Sequence, residues 1–264
     1  MSHVFRLLDT GFRDAFYNMG LDQALLEAVS RGASLPCLRF YAWKPLAVSV
    51  GYFQGLDEEV NLSSCRERGV DVVRRLTGGG AVFHNAELTY SLVLPLKHPL
   101  AGRNIQKSYE ILCSGIVRGL KNLGLEASFV PVNDIECMGK KISGNAQTRK
   151  TGALLQHGTI LLDTDPDLMF ELLKVPPQKT GGRRITGAKQ RVSSLKALLG
   201  REVPYEEALD AMRRGFLDAL ELEFTGTPGN PPEKAALPSG EEDERALDLA
   251  KNRFADPNWI GVRP

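Results

Sequence analysis

Apolar and polar positions follow one another along the chain in segments whose periods predict a mixture of helices and strands. Residues 18–30 carry apolar side chains at helical spacing, with Asn18, the first of them, as a candidate helix cap. A longer amphipathic stripe predicts a helix over 104–123, which Gly124 is expected to end. Short apolar runs predict strands over 37–42, 46–53, 70–75, 88–94, 128–136 and 154–162.

The pattern changes after about residue 200, and this change suggests where the chain is divided. A helix is predicted over 204–219, and the stretch that follows is rich in proline and glycine. An acidic helix start at 241–244 then leads into a final helix near the end of the chain. We therefore predict a catalytic domain over 1–224, a linker over 225–240 and a C-terminal helical tail over 241–264.

Composition limits the classes of protein that the chain could belong to. The 264 residues carry a formal net charge of +1, which gives no global basic field for nucleic acid or an acidic membrane. No apolar run reaches the ~18–20 residues of a membrane-spanning helix, and the first residues lack a signal-peptide core. The four cysteines, at 37, 65, 113 and 137, form no Cys-x-x-Cys pair. These features predict a cytoplasmic enzyme with reduced thiols that binds neither nucleic acid nor membrane.

A glycine-rich segment at 74–84, RRLTGGGAVFH, is the most informative part of the sequence. Three consecutive glycines leave main-chain N–H groups bare, and such groups can form a concave site for an anion. Arg74 and Arg75 add planar, permanently charged donors that suit phosphate or carboxylate. The plainer interpretation is a tight turn beside two solvated arginines.

Two further segments supply charge and a histidine. Residues 133–147, NDIECMGKKISGNAQ, place Lys140 and Lys141 in a predicted turn, where a lysine ammonium can contact several oxygens at once. Residues 154–163 carry His157 within a predicted strand. Taken singly, the lysines could be a solvated hairpin tip, and the histidine could be a hydrogen-bonded strand residue.

Together these segments resemble the lipoate–protein ligase and octanoyltransferase family, the lipoyl branch of the biotin/lipoyl ligase superfamily. The matching motifs are RRLTGGGAVFH, ELTYS at 87–91, NDI at 133–135, GKKISGNAQ at 139–147 and HGTILL at 157–162. The likeness also covers residues 5–26 and 38–54, and it fades after about residue 200. It implies an α/β (α+β) fold with central mixed or antiparallel sheets flanked by helices, as in biotin/lipoyl ligase catalytic domains.

The resemblance implies two possible chemistries, because a carboxylate must be activated before a lysine amine can attack it. We expect the first: a lipoate–protein ligase that uses ATP and Mg to convert its substrate lipoate to lipoyl-AMP, then acylates a lysine of a lipoyl-carrier protein. Such a route needs fixed positive charge around phosphate. The short C-terminal part suggests that a separate small accessory subunit could supply what is missing.

The family motifs imply a role for each candidate residue. Lys141 is expected to be catalytic, bridging the lipoate carboxyl group and the α-phosphate, and Asp134 is a candidate Mg ligand. The ATP and lipoyl-AMP site is expected to comprise Arg75, Gly78, Gly79, Gly80, Ala81, Val82, Phe83, Asn133, Asp134, Lys141, Ser143, Gly144, Asn145 and Ala146. The lipoate pocket is expected to comprise Ser49, Gly51, His84, His157 and Gly158, with no proton transfer assigned to either histidine.

Two alternatives stay open at the level of the sequence. One is an octanoyl or lipoyl transferase that acts through a cysteine thioester, which needs an activated thiol. Cys137 lies only four residues before Lys141 but is expected to be a buried, inert strand thiol, and Cys113 is expected to be core. The other alternative is a lipoyl-binding module without enzymatic activity. The basic loop over 177–194 is a candidate flap over the site, or else a solvated surface loop.

Overall fold

The computed structural model describes residues 2–174, 191–225 and 235–263. The described strands are β1 His3–Arg13, β2 Cys37–Trp43, β3 Ala47–Val50, β4 Asp71–Arg74, β5 Val82–His84, β6 Glu87–Pro95, β7 Ala127–Val130, β8 Asp134–Cys137, β9 Lys140–Lys150, β10 Ala153–Leu161 and β11 Leu222–Phe224. The described α-helices are α1 Ala15–Ser30, α2 Leu56–Glu59, α3 Leu62–Glu67, α4 Ile105–Asn122, α5 Pro166–Leu172, α6 Leu195–Leu199, α7 Tyr205–Leu220, α8 Gly240–Leu249 and α9 Pro257–Ile260. A 3₁₀ turn lies at Pro99–Ala101 and a π-helical turn at Ala250–Phe254.

The strands form two sheets, and the larger one is mixed. Its eight strands run in the order β11-β1-β2-β6-β10-β9-β8-β7. The contacts of β1 with β11 and β2 are parallel, whereas the pairs from β2 through β7 are antiparallel. The smaller sheet has the order β4-β3-β5, with β3 parallel to β4 and antiparallel to β5. The α/β prediction of mixed sheets flanked by helices is confirmed.

Helices α4 and α7 cover one face of the large sheet and pack against each other closely. A Cβ added at Gly215 of α7 would lie 2.3 Å from the backbone nitrogen of Gly119 in α4. Glycine at these positions lets the two backbones approach one another. The apolar stripe of α4, including Leu112 and Ile116, is fully buried in the resulting core.

Helix α1 covers the opposite face of the large sheet, and the C-terminal helices pack against it. Because a Cβ added at Gly20 would lie 2.4 Å from the carbonyl oxygen of Ala246, α8 rests directly on the backbone of α1. The buried Arg74 guanidinium also donates to the carbonyl oxygens of Ile260 and Arg263, which ties the end of the chain to β4. The domain boundaries at 224 and 240 stay predictions.

Several elements differ from the predicted ones for identifiable reasons. The cap of helix α1 lies four residues earlier than predicted, because Asp14, and not Asn18, caps the helix by accepting from the Tyr17 N–H. The predicted strand over 128–136 is a hairpin of β7 and β8. Lys140 and Lys141 begin β9, so the two lysines are strand residues beside the turn. No helix among the described residues is long and apolar enough to span a membrane.

Candidate active site

A pocket lies where the small sheet meets β2, β6, β9 and β10 of the large sheet. It encloses about 620 Å³, including its open mouth. Its lining combines aromatic side chains, two histidines, a lysine, an arginine and the bare backbone of the glycine-rich segment. The lining residues are Met19, Tyr41, Trp43, Ser49, Arg75, Gly79, Gly80, Ala81, Val82, His84, Thr89, Asn133, Lys141, Gly144, Asn145, Ala146, His157, Gly158 and Thr159.

The Arg75 side chain shapes the glycine-rich segment from within. Its Nη2 donates to the carbonyl oxygens of Gly78 (2.8 Å) and Gly80 (2.7 Å), and its Nε donates to Thr77 Oγ1 (3.1 Å). Its Nη1 donates to the carbonyl and hydroxyl oxygens of Ser49 at 3.0 and 3.1 Å. All five N–H donors of the guanidinium are therefore used inside the protein.

The hairpin of β8 and β9 carries Lys141 at the edge of the pocket. Its Nζ lies 2.7 Å from the Asp134 carboxylate, and the two side chains are 38% and 32% exposed. The Lys141 carbonyl oxygen accepts from the Ser193 N–H, and the Lys141 N–H donates to the Arg191 carbonyl oxygen. These two bonds fix the direction of the backbone at Lys141. A Cβ added at Gly144 would lie 3.0 Å from Lys141 Nζ, so the glycine makes room for the ammonium.

The structure brings most of the predicted site residues into one pocket. The ones that line it are Ser49, Arg75, Gly79, Gly80, Ala81, Val82, His84, Asn133, Lys141, Gly144, Asn145, Ala146, His157 and Gly158. The ligands and roles predicted for these residues stay predictions. The flap predicted over 177–194 falls largely on 175–190, outside the described residues.

Five predicted site residues do not line the pocket. Phe83 points into the core of the small sheet, and Ser143, which belongs to β9, is fully buried. The carbonyl oxygen of Gly78 accepts from Arg75, and a Cβ added at Gly51 would lie 2.1 Å from the Gly79 carbonyl oxygen. Both glycines therefore support the glycine-rich segment. The fifth, Asp134, forms an ion pair with Lys141, and Lys141 lines the pocket.

Sequence reasoning missed the apolar and hydroxyl lining of the pocket. Met19 comes from α1, Tyr41 and Trp43 come from β2, and Thr89 and Thr159 come from β6 and β10. Each lies in an element that was predicted, but its pattern resembles that of an ordinary core segment. The ELTYS and HGT motifs contain the two threonines and were the available signal.

His84 lies in a chain of hydrogen bonds that we name the pocket relay, comprising Ser49, His84 and Glu87. The distance from Ser49 Oγ to His84 Nε2 is 2.8 Å, and that from His84 Nδ1 to Glu87 Oε1 is 2.7 Å. Because a carboxylate only accepts hydrogen bonds, the ring proton lies on Nδ1 and Nε2 accepts from the serine hydroxyl. The Trp43 ring stacks on the imidazole at 3.9 Å.

His157 lies in a second chain, which we name the buried relay, comprising Thr77, His157 and Asp22. The Thr77 hydroxyl lies 2.7 Å from His157 Nε2, and His157 Nδ1 lies 2.9 Å from Asp22 Oδ2. Burial lowers the pKa of His157, which keeps the ring neutral. Burial alone would raise the pKa of Asp22. The hydrogen bond from His157 and the charge of Arg39 outweigh it and hold that pKa below its ordinary value. Arg39 Nη1 donates to the same carboxylate at 2.9 Å.

None of the four cysteines, all of which lie in described segments, lines the pocket. Cys113 and Cys137 belong to the core between the large sheet and α4, as expected. Burial raises the pKa of Cys113 to about 12, and it also raises the pKa of Cys137. Because the thiolate is the nucleophilic form, these thiols lack the exposure and electrostatics of reactive cysteines.

The described residues offer no cluster of three or more histidine, cysteine, aspartate or glutamate side chains that could hold a metal ion. The carboxylate of Asp134, the predicted Mg ligand, is instead paired with the Lys141 ammonium. The lining of the pocket carries hydroxyl, imidazole and ammonium groups.

Comparison with known proteins places the chain in a family and separates its possible activities. Residues 14–217 match the lipoyl protein ligase A/B catalytic domain. The octanoyltransferase LipM of Brevibacillus brevis is 36% identical over 92% of this chain and 93% of its own length. The octanoyltransferase LipM of Geobacillus kaustophilus is 37% identical over 97% of both chains.

Solved structures share the fold at lower identity. The bi-partite lipoate protein ligase of Thermoplasma acidophilum is 29% identical, with a TM-score of 0.79 over 99% of this chain and 97% of its own. A lipoate-protein ligase A bound with ATP is 28% identical, with a TM-score of 0.80 over 99% of this chain and 100% of its own.

These relatives correct the predicted activity. The prediction of an ATP-dependent, AMP-forming lipoate–protein ligase is wrong, because the relatives that match nearly the whole chain at 36–37% identity are octanoyltransferases. The predicted ATP and Mg cofactors are wrong for the same reason. Arg75, predicted to hold the nucleotide phosphates, uses all five of its N–H donors within the protein instead. The family itself is as predicted: the chain belongs to the lipoyl protein ligase A/B catalytic domain family.

Proposed function

We propose that the protein is an octanoyltransferase that moves an octanoyl group from a thioester donor to a lysine of a lipoyl-carrier protein. The observation that carries this proposal is the similarity to octanoyltransferases, which is 36–37% over 92–97% of the chain. The contents of the pocket support it, because they suit an acyl group that is already activated.

The inner lining of the pocket suits an alkyl chain. Met19, Tyr41 and Trp43 are each less than a tenth exposed and present apolar surface to the cavity. Burying a CH₂ group contributes about 0.8 kcal/mol, so the chain of an octanoyl group can supply several kcal/mol of binding. This energy would anchor the substrate while its carbonyl group lies among the polar residues.

The polar lining provides for the charge that develops during acyl transfer. Attack on a carbonyl carbon places negative charge on its oxygen, and a fixed cation in a partly buried site stabilises that oxyanion. Lys141 supplies such a cation. Removal of the proton from the attacking group needs a base, and His84 and His157 both present Nε2 toward hydroxyl groups.

A lipoyl-carrier protein fits as acceptor, since its lysine must reach an acyl group held beside Lys141. A separate accessory subunit stays a prediction, and weak activity of the isolated chain that rises with a second polypeptide would support it. The cytoplasm likewise remains the predicted location.

The proposal is tested by incubating the purified chain with an octanoyl thioester, such as octanoyl-acyl carrier protein, and an apo lipoyl domain without nucleotide. We expect the intact mass of the domain to rise by one octanoyl group. A domain whose acceptor lysine is replaced by arginine is the matched control and should not change. Acylation that requires both a free acid and ATP would contradict the proposal.

A further inference from the structure

A group of aromatic rings and cations lies on the surface beside the glycine-rich wall of the pocket. Phe53 is 72% exposed, and Tyr52 and Trp259 are half-buried. The ring centroid of Tyr52 lies 4.9 Å from that of Phe53 and 5.9 Å from that of Trp259. We name this group the cationic surface, and its members are Tyr52, Phe53, Lys150, Arg253, Trp259 and Arg263.

The three cations of this surface lie over its aromatic rings. Lys150 Nζ is 4.6 Å from the ring centroid of Tyr52, and the guanidinium carbon of Arg263 is 5.5 Å from the same centroid. The guanidinium carbon of Arg253 is 4.0 Å from the ring centroid of Trp259. The faces of aromatic rings attract cations at these distances, so the rings gather positive charge at one place on the surface.

The positive charge of this surface is not neutralised by the described part of the chain. Neither Lys150, Arg253 nor Arg263 forms an ion pair with a carboxylate of a described residue, and Arg253 Nε is buried without a hydrogen-bond partner. The Glu27 carboxylate, whose charge acts on Arg253, is already paired with Arg245. A partner with an acidic surface would supply the missing negative charge.

The cationic surface is continuous with the wall of the pocket. A Cβ added at Gly78 would lie 3.7 Å from the Phe53 ring, and the next residues, Gly79 and Gly80, line the pocket. A protein that rests on Phe53 would therefore be placed directly beside the entrance to the acyl site.

Strand β9 gives the distance between this surface and the reacting groups. Gly144 lies beside the Lys141 ammonium, and it pairs with Thr159, whereas Lys150 pairs with Ala153. Because side chains alternate along a strand, Lys150 lies on the same face of β9 as Gly144. Six residues separate the two positions, which is about 20 Å at ~3.3 Å per residue.

This span distinguishes between the two proteins that take part in the proposed reaction. The acceptor lysine has only a four-carbon stem, so its domain must dock close to Lys141. An acyl carrier protein holds its thioester at the end of a long flexible arm, and its body can therefore rest at a distance from the acyl carbonyl group. The separation fits the donor.

We propose that the cationic surface is the docking site of the acyl carrier protein that delivers the octanoyl thioester, and that it binds an acidic face of that protein. The proposal rests on the proposed octanoyltransferase function. Aromatic side chains and arginine contribute most of the energy in many protein interfaces, and Phe53 provides such an anchor among the cations. Opposite charge on the partner would also speed the encounter.

The test compares octanoyl-acyl carrier protein with octanoyl-phosphopantetheine, which has the same thioester and arm but no protein. The variant Lys150→Glu with Arg263→Glu reverses two charges of the surface, and transfer to an apo lipoyl domain is measured without nucleotide. We expect kcat/KM for octanoyl-acyl carrier protein to fall about 30-fold through a higher KM, with kcat unchanged. The value for octanoyl-phosphopantetheine should stay within about twofold of wild type.

Two further variants separate docking from general effects of charge and folding. Arg118→Glu with Lys121→Glu is the matched control, because these exposed cations lie on α4, which covers the face of the large sheet opposite to α1. It makes the same change in net charge and should leave both donors within about twofold of wild type. Phe53→Ser changes no charge and should raise the KM for octanoyl-acyl carrier protein about tenfold, with no effect on the small donor.

Several results would overturn the proposal. A similar loss with both donors would show that the charge reversal acts on the arm, the pocket or the fold. A higher KM for the lipoyl domain alone would assign the surface to the acceptor, and unchanged kinetics would leave it without a docking role. In each case transfer by the wild type would preserve the octanoyltransferase function. If the wild type transfers from neither donor, that function fails and the docking proposal fails with it.

Discussion

The pocket relay and the buried relay share one pattern, a hydroxyl group, an imidazole and a carboxylate in sequence, but they differ in charge. In the pocket relay, Glu87 Oε1 contacts His84 and accepts from the Thr89 hydroxyl, whereas Glu87 Oε2 has no hydrogen-bond partner among the described residues. In the buried relay, Asp22 is already paired with the Arg39 guanidinium and accepts from the Tyr41 hydroxyl.

This difference indicates what each relay can do. A proton that arrives at His84 completes an ion pair, whereas a proton at His157 adds a second cation beside a carboxylate that Arg39 already neutralises. The Thr77 hydroxyl is fully buried and does not line the pocket, unlike that of Ser49. Two relays with the same hydrogen-bond geometry can therefore differ in their capacity to accept a proton. The balance of charge around the carboxylate separates the two.

The largest effect is expected from removing the cation of the buried relay. Arg39→Met leaves the Asp22 carboxylate buried without its cation, which typically costs about 3–5 kcal/mol. The free energy of unfolding, measured by urea denaturation, should fall by roughly this amount. Adding Asp22→Asn to the same variant should restore part of the loss. A change below about 1 kcal/mol would show that the buried relay does not depend on charge balance.

A smaller effect is expected from neutralising the carboxylate of the pocket relay. Glu87→Gln keeps an oxygen that can accept from His84 but removes the charge that favours the imidazolium, so kcat should fall about 10²-fold. The dependence of kcat/KM on pH should change in the same variant, because the charge beside the imidazole has been removed. If Glu87 only supports the structure, the profile will keep its shape and position.

The smallest expected effect is a loss of folding stability at acidic pH, which is caused by His157 of the buried relay. The pKa of His157 lies below its ordinary value in the folded protein, so the unfolded chain binds the proton more readily. Stability is therefore full above pH 6.5 and is lost as the pH falls below it, by at most about 1.4 kcal/mol per pH unit for one proton. His157→Gln should remove the contribution of this ring to the slope of the unfolding free energy against pH. Burial also lowers the pKa of His98, and the contribution of His98 to that slope should remain in the variant. A slope unchanged in His157→Gln would contradict this assignment.

The sequence predicted the polar half of the site better than its apolar half. The glycine-rich segment and the Lys141 hairpin carry local signals, because glycine runs and paired lysines stand out from their neighbours. Tyr41 and Trp43 lie in a strand whose residues are all buried, and local pattern cannot distinguish a side chain that lines a cavity from one that fills a core. That distinction depends on how the small sheet packs against the large one.

Long-range pairing explains the other omissions. Asp22 and His157 are 135 residues apart in sequence but 2.9 Å apart in space. Asn18, expected to cap a helix, instead accepts from Arg39 in the same cluster. No periodicity contains such information. The activity was mispredicted for a related reason: charge and glycine beside a pocket are compatible with both nucleotide and thioester chemistry, and the relatives separate the two.

The most direct test of this account compares His84→Gln with His157→Gln in single-turnover transfer from octanoyl-acyl carrier protein to an apo lipoyl domain, without nucleotide. The two histidines are 4% and 7% exposed, line the same pocket and undergo the same substitution. We expect His84→Gln to slow transfer about 10³-fold and His157→Gln to slow it less than about tenfold. Equal losses, or a larger loss for His157→Gln, would contradict it.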